Sequence, residues 1–170
     1  MSPINSQLPN PKLKVPWESQ IKNILLGVGN PLHSDDGVGP YVAQHFKADD
    51  WLSIDCATSP ENFTGVVKKY QPEHLVIVDA ADMNLPTGCI KRINQDMIRD
   101  ISFDTHTLPL SVIMDYLKRY VQKEIIFIAI QPGDLSDSQK LSKSVNEAAT
   151  KTIELLKSGE VFNMPLHSSP

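Results

Sequence analysis

Apolar positions along the chain fall into two alternating kinds of segment. Ile24-Leu25-Leu26-Gly27-Val28, Leu75-Val76-Ile77-Val78 and Ile125-Ile126-Phe127-Ile128-Ala129-Ile130 are short continuous runs, and Trp51-Leu52-Ser53-Ile54-Asp55 is a similar, more mixed one. Runs of this length closed by glycine, aspartate or a polar turn read as strands covered on both faces. A further short strand is predicted at 89–93. Between the strands the period changes. Val38, Tyr41, Val42 and Phe46 share one face of a helix over 37–47, and Leu110, Ile113, Met114, Leu117 and Val121 follow at i, i+3, i+4, i+7 and i+11. Helices are also predicted over about 62–70 and 138–157, with a helical turn near 94–100. Strands separated by helices predict a three-layer α/β/α sandwich with a mostly parallel, twisted sheet of about five strands.

The chain of 170 residues fits one domain, with a core large enough to fold without disulfide or metal staples. Pro3, Pro9, Pro11 and Pro16 mark residues 1–20 as an extended arm, residues 21–157 form the domain, and residues 158–170 read as a tail. Sixteen basic against twenty acidic side chains leave a net charge of −4. With no basic run, nucleic-acid binding is excluded. No apolar stretch approaches the ~18 residues of a membrane span, and the first residues lack the apolar core of a secretory signal. These features imply a cytoplasmic protein. Cys56 and Cys89 are too few for a zinc site and read as small buried hydrophobes.

In open α/β sheets chemistry collects beyond the carboxyl ends of the strands. Asn30, Asp35 and Asp36 follow the first strand, Asp55 ends the second, Asp79 and Asp82 follow the third, and Gln131 and Asp134 follow the last. The run Gly27-Val28-Gly29-Asn30-Pro31-Leu32 resembles a dinucleotide fingerprint only superficially, because Leu32 stands where the third glycine belongs. Asp35 and Asp36 would also meet the pyrophosphate with like charge. Taken alone, Asp35-Asp36-Gly37 reads as a helix start, one carboxylate capping and the other complementing the macrodipole. Asp79 and His106 need another reason. Two carboxylates and one imidazole from three loops would make a half-built metal site with open positions.

The motifs themselves resemble those of a known family. Gly27-Val28-Gly29-Asn30-Pro31-Leu32-His33-Ser34-Asp35-Asp36-Gly37-Val38-Gly39 is similar to the N-terminal motif of the hydrogenase maturation endopeptidases. Ser59-Pro60-Glu61-Asn62, Val78-Asp79-Ala80-Ala81-Asp82-Met83, Thr105-His106-Thr107-Leu108-Pro109-Leu110 and Ile130-Gln131-Pro132 match further blocks in order. The resemblance spans about residues 22–157 and is greatest to the branch serving energy-converting, formate-hydrogenlyase-type hydrogenases. It implies removal of a C-terminal peptide from the large-subunit precursor of a nickel–iron hydrogenase. Nickel would arrive with the substrate, and no organic cofactor is implied. Asp36, Asp79 and His106 would contact the metal, with Asp36 or Asp79 also serving as base. Asn30, His33 and Gln131 are weaker substrate-binding candidates, and the free enzyme is expected to be a monomer. One departure is Asp55-Cys56-Ala57, where relatives tend to carry paired glycines after the aspartate. A non-cleaving chaperone for a hydrogenase subunit and a nucleotide-binding protein are the alternatives.

Overall fold

The computed structural model describes residues 21–98 and 108–167. The arm of residues 1–20 and His106 lie outside them. The strands are β1 (Asn23–Val28), β2 (Trp51–Ala57), β3 (His74–Ala80), β4 (Ile90–Ile93), β5 (Glu124–Ile130) and β6 (Leu166–His167). The helices are α1 (Val38–His45), α2 (Thr64–Tyr70), α3 (Gln95–Ile98), α4 (Leu110–Leu117) and α5 (Lys143–Ser158). One six-stranded sheet runs in the order β2-β1-β3-β5-β4-β6. β2, β1, β3 and β5 are parallel, β4 is antiparallel to β5, and β6 lies parallel to β4.

Strand residues alternate between two cores. Ile24, Leu26, Leu75, Ile77 and Phe127 pack with Val67 of α2 and with Leu110, Ile113, Met114 and Leu117 of α4. Leu25, Val76, Val78, Ile126 and Ile128 pack with Val38 and Val42 of α1 and with Val145, Ala149 and Leu156 of α5. Period-2 strands between period-3.6 helices therefore give the three layers that the sequence predicts.

Two boundaries differ from expectation. Residues 160–167, predicted as tail, rejoin the fold through a 3-10 turn at Glu160–Asn163 and the pairing of β6 with β4. Arg92 on β4 is nearly buried, and its Nη1 donates to the carbonyls of Phe162 (3.1 Å) and Met164 (3.3 Å) while its Nη2 pairs with Glu124. The tail thus supplies acceptors to a buried cation that would otherwise be costly. The last helix begins at Lys143 instead of 138, because the residues before it fold back along the loop after β1: Ser138 N donates to Leu32 O and Ser34 N to Ser138 O.

β1 lies between β2 and β3, so the connection through α1 runs to one side of it and the connection through α2 returns past it to the other. The crevice above this reversal, at the carboxyl ends of β1 and β3, is where such sheets bind their ligands.

Candidate active site

Gly29 closes β1 and sets the floor of that crevice. Its φ is +139°, and a Cβ there would stand 1.9 Å from the carbonyl oxygen of Asp36 and 3.5 Å from Oδ1 of Asp79. Only glycine satisfies both the dihedral and the close approach. The backbone carbonyl of Asp36 and the side-chain carboxylate of Asp79, from residues 43 positions apart in sequence, therefore approach the same point of the backbone. Gly39 does related work one turn later: a Cβ there would lie 2.1 Å from Val28 O and 2.4 Å from Val78 O, so its absence seats α1 directly on β1 and β3. The glycines of the first motif serve close packing, and the Asp36 carbonyl occupies the space over Gly29 that a pyrophosphate would need.

The two neighbouring aspartates have separate jobs. Asp36 is half-buried, and its Oδ2 accepts the Asn30 N–H at 2.9 Å, which closes the loop after β1 into a tight ring. Asp35 is fully buried, and its carboxylate is turned to the segment between β5 and α5. Its carboxylate accepts Gly133 N (2.9 Å), Asp134 N (2.8 Å), Ser142 N (2.7 Å) and Ser142 Oγ (2.9 Å). Three backbone donors and a hydroxyl compensate its burial. They clamp the segment between β5 and α5 onto the loop that carries Asp36. Ser34, at φ +43°, adds Oγ donations to Lys140 O (2.8 Å) and Asp134 Oδ2 (3.3 Å). Sequence reasoning did not find this clamp. Its signal lay in Gly133, Asp134 and Ser142, polar or turn residues in a stretch predicted as partly helix.

The remaining candidates separate as follows. Asp79 lies in β3, paired with Ala129 of β5, and is 1% exposed. Asn30 turns its Oδ1 to Leu32 N at 3.0 Å, a local turn bond, and its Nδ2 lies 3.4 Å from His33 Nδ1. His33 stays partly exposed, 3.4 Å from Asp137. Gln131 is buried, and its amide is already engaged. Oε1 accepts Met83 N (2.7 Å) and Leu85 N (3.2 Å), while Nε2 donates to Asp82 Oδ1 (3.1 Å) and Pro132 O (3.2 Å). It shapes the loop after Asp79, and that loop's N–H of Asn84 and the Gln131 amide together hold the Asp82 carboxyl below its usual range. Cys56 is buried, and burial pushes its thiol up to about 12, which makes it inert as a nucleophile. Among the described residues no three His, Cys, Asp or Glu side chains gather as a metal cage. Among the described residues, the backbone carbonyl of Asp36 and the carboxylate of Asp79 approach Gly29, and Asp36 Oδ2 holds the N–H of the next residue, Asn30.

The profile of the hydrogenase maturation proteases matches residues 38–158. The chain belongs to that family. Among the family's members, the hydrogenase 3 maturation protease of Escherichia coli K12 is 34% identical over 142 residues, which covers 81% of this chain and 90% of that one. The solution structure of the endopeptidase HycI from Escherichia coli superposes with a TM-score of 0.74 at 32% identity, over 82% of this chain and 92% of that one. A [NiFe] hydrogenase maturation protease HycI from Thermococcus kodakarensis gives a TM-score of 0.72 at 27% identity, over 84% and 92%. This hydrogenase maturation protease is therefore an endopeptidase on a three-layer α/β/α scaffold. Among its described residues no helix is long and apolar enough to cross a membrane.

Proposed function

We propose that this protease removes the C-terminal peptide from the nickel-loaded large-subunit precursor of a nickel–iron hydrogenase, of the energy-converting, formate-hydrogenlyase type. The observation that supports this reading is at Gly29, at the sheet's topological switch point: the Asp79 carboxylate and the Asp36 backbone carbonyl approach it, and the Asp36 carboxylate bonds the N–H of the adjacent Asn30. Soft thiolates of the precursor would retain the nickel, while the two carboxylates and His106 offer weaker additional contacts. A precursor without nickel lacks that anchor, so the metal acts as a checkpoint through a difference in affinity. With the scissile segment held against the pair, Asp36 or Asp79 serves as ligand or as general base toward the attacking water. Asp35 is no partner in a proton-sharing dyad, because its carboxylate is engaged elsewhere and faces another segment. The enzyme works in the cytoplasm as a monomer that meets its precursor before hydrogenase assembly.

Intact-mass spectrometry of a large-subunit precursor incubated with the protein tests the reading. Loss of a C-terminal peptide is expected only with nickel-loaded precursor and wild-type enzyme. Nickel-free precursor and Asp36→Ala enzyme leave the mass unchanged. Cutting by Asp36→Ala at the wild-type rate would remove Asp36 from the mechanism, and a bound but uncut precursor in every tube would favour a non-cleaving chaperone.

A further inference from the structure

We propose that the outer edge of β2 is the track on which the extended C-terminal segment of the precursor docks, adding a strand to the sheet beside the catalytic carboxylates. The inference rests on the protease reading above and says where the substrate chain lies.

β2 ends the sheet, and among the described residues no strand lies outside it. Asn23 N donates to Asp50 O and Asn23 pairs with Trp51. In a parallel ladder alternate residues bond to the neighbouring strand. Leu52 and Ile54 therefore face β1, and the backbone N–H and C=O groups of Ser53 and Asp55 face outward. Natural edges of this length are guarded by proline, lysine or an early bulge. β2 has neither proline nor lysine in its seven residues, its one charged side chain, Asp55, is held by Gln44 near the upper end, and its register shift comes there too, opposite Gly27/Val28. An unguarded edge is what strand addition uses for affinity, with adjacent pockets reading side chains.

Such a pocket is present. A groove of about 410 Å³ runs between α1 and the edge, lined by Gln44, Phe46, Lys47, Trp51, Ser53 and Asp55 among others. Its volume falls in the range of sites that hold small ligands or a few side chains. Phe46 and Trp51 meet edge-to-face at 5.2 Å and form an apolar lower end, while Gln44 Nε2 holds Asp55 at 2.7 Å at the upper end. Ser53 turns its hydroxyl inward to Ala43 O at 2.6 Å, leaving little bulk in the middle.

The groove leads to the carboxylates. Asp55 is two residues from Ala57, whose carbonyl accepts Gly29 N at 2.9 Å; the Asp79 carboxylate lies against Gly29, and the Asp36 carboxylate bonds the N–H of the next residue, Asn30. A strand outside β2 lies three strand spacings from β3, about 14 Å at ~4.8 Å each, which four extended residues cross. The docked segment thus starts about four residues from the scissile bond. A peptide bound for cleavage must end at the carboxylates. A second copy of this chain has no such requirement, nor has the arm of residues 1–20, which joins the domain at the opposite end of β2, where Lys22 N bonds Asp50 O.

Amide hydrogen exchange on the full chain decides the matter, with Asp36→Asn used to hold the complex and nickel-loaded precursor as the probe. The Ser53 and Asp55 amides should exchange freely in the protein alone and at least tenfold more slowly with precursor bound. Unchanged exchange in a complex verified by native mass overturns the proposal. Slow exchange before precursor is added also overturns it, since the arm or a second copy then covers the edge. In the otherwise wild-type enzyme, Ser53→Pro removes the outward N–H at a position where edge strands accept proline. Ser53→Ala keeps that N–H and loses only the hydroxyl. The proline variant should raise KM at least tenfold over the alanine variant with kcat within twofold, and equal KM values would count against the track. Failure of the wild-type enzyme to shorten the precursor is a separate result that overturns the protease reading instead.

Discussion

Asp35 and Asp36 are chemically identical neighbours that the fold assigns to opposite tasks. The Asp35 carboxylate is buried and accepts from four donors, so Asp35→Ala removes the acceptor of all four. A loss of about 3 kcal/mol is expected, and melting should fall by roughly 6–12 °C for a domain of this size. Asp36 is half-buried and holds one backbone N–H, so Asp36→Ala should cost about 1 kcal/mol, a few degrees of melting, while abolishing processing. Calorimetry beside the cleavage assay separates the two, and an Asp35→Ala protein melting like wild type would remove the clamp from the account. The sequence marked both residues as helix-start carboxylates because a local reading cannot see a partner a hundred positions away. Asp79 stands out in the sequence for the opposite reason: a charge that closes an apolar strand is locally out of place, and the fold buries it at the end of β3.

The same division holds for whole elements. β1, β3 and β5 were legible because uninterrupted apolar runs of four to six residues, bounded by polar or turn residues, admit few other structures. β6 was not, since two residues carry no period and pair only because Arg92 draws the carbonyls of the last turn toward β4. The start of α5 was displaced by tertiary demand: Ser142 N and Oγ both bond to Asp35, which holds Ser142 extended at ψ 158°. At the end of β2 the departure Asp55-Cys56-Ala57 has a physical outcome. Ala57 adopts φ +44°, a left-handed backbone that glycine takes without strain, so the chain follows a path suited to glycine with an alanine in place. Relief of about 1–2 kcal/mol of strain, less the extra entropy of a glycine in the unfolded chain, gives an expected gain for Ala57→Gly of about 0.5–1 kcal/mol. Urea unfolding reads it through a higher midpoint at constant slope. A lower midpoint would mean that Ala57 contributes packing that outweighs the strain.

At the scale of the molecule, one titration couples the sheet to pH. His74 opens β3 beside Asn23 and Glu124, with its ring 4.3 Å from Phe162. Desolvation first, then the Lys123 ammonium, push it below its usual value, while Glu73 and Glu124 pull the other way. The unfolded chain then binds the extra proton more readily, so stability rises as pH climbs through about 6.5 and falls below it. Wild type should lose more melting temperature than His74→Gln between pH 7.5 and 5. Equal losses would assign the acid sensitivity to the carboxylates alone. The two borders of the sheet have a different consequence, one of valence. β6 ends one side with two residues, too short to template a further strand, whereas β2 offers seven on the other. A particle with one cohesive border is monovalent, and among the described residues β2 is the one long border of the sheet. Were two copies to join through β2, the described sheet would offer no second long border, so association by strand pairing would end at a pair, whereas lengthening β6 by a few strand-forming residues would make the particle bivalent.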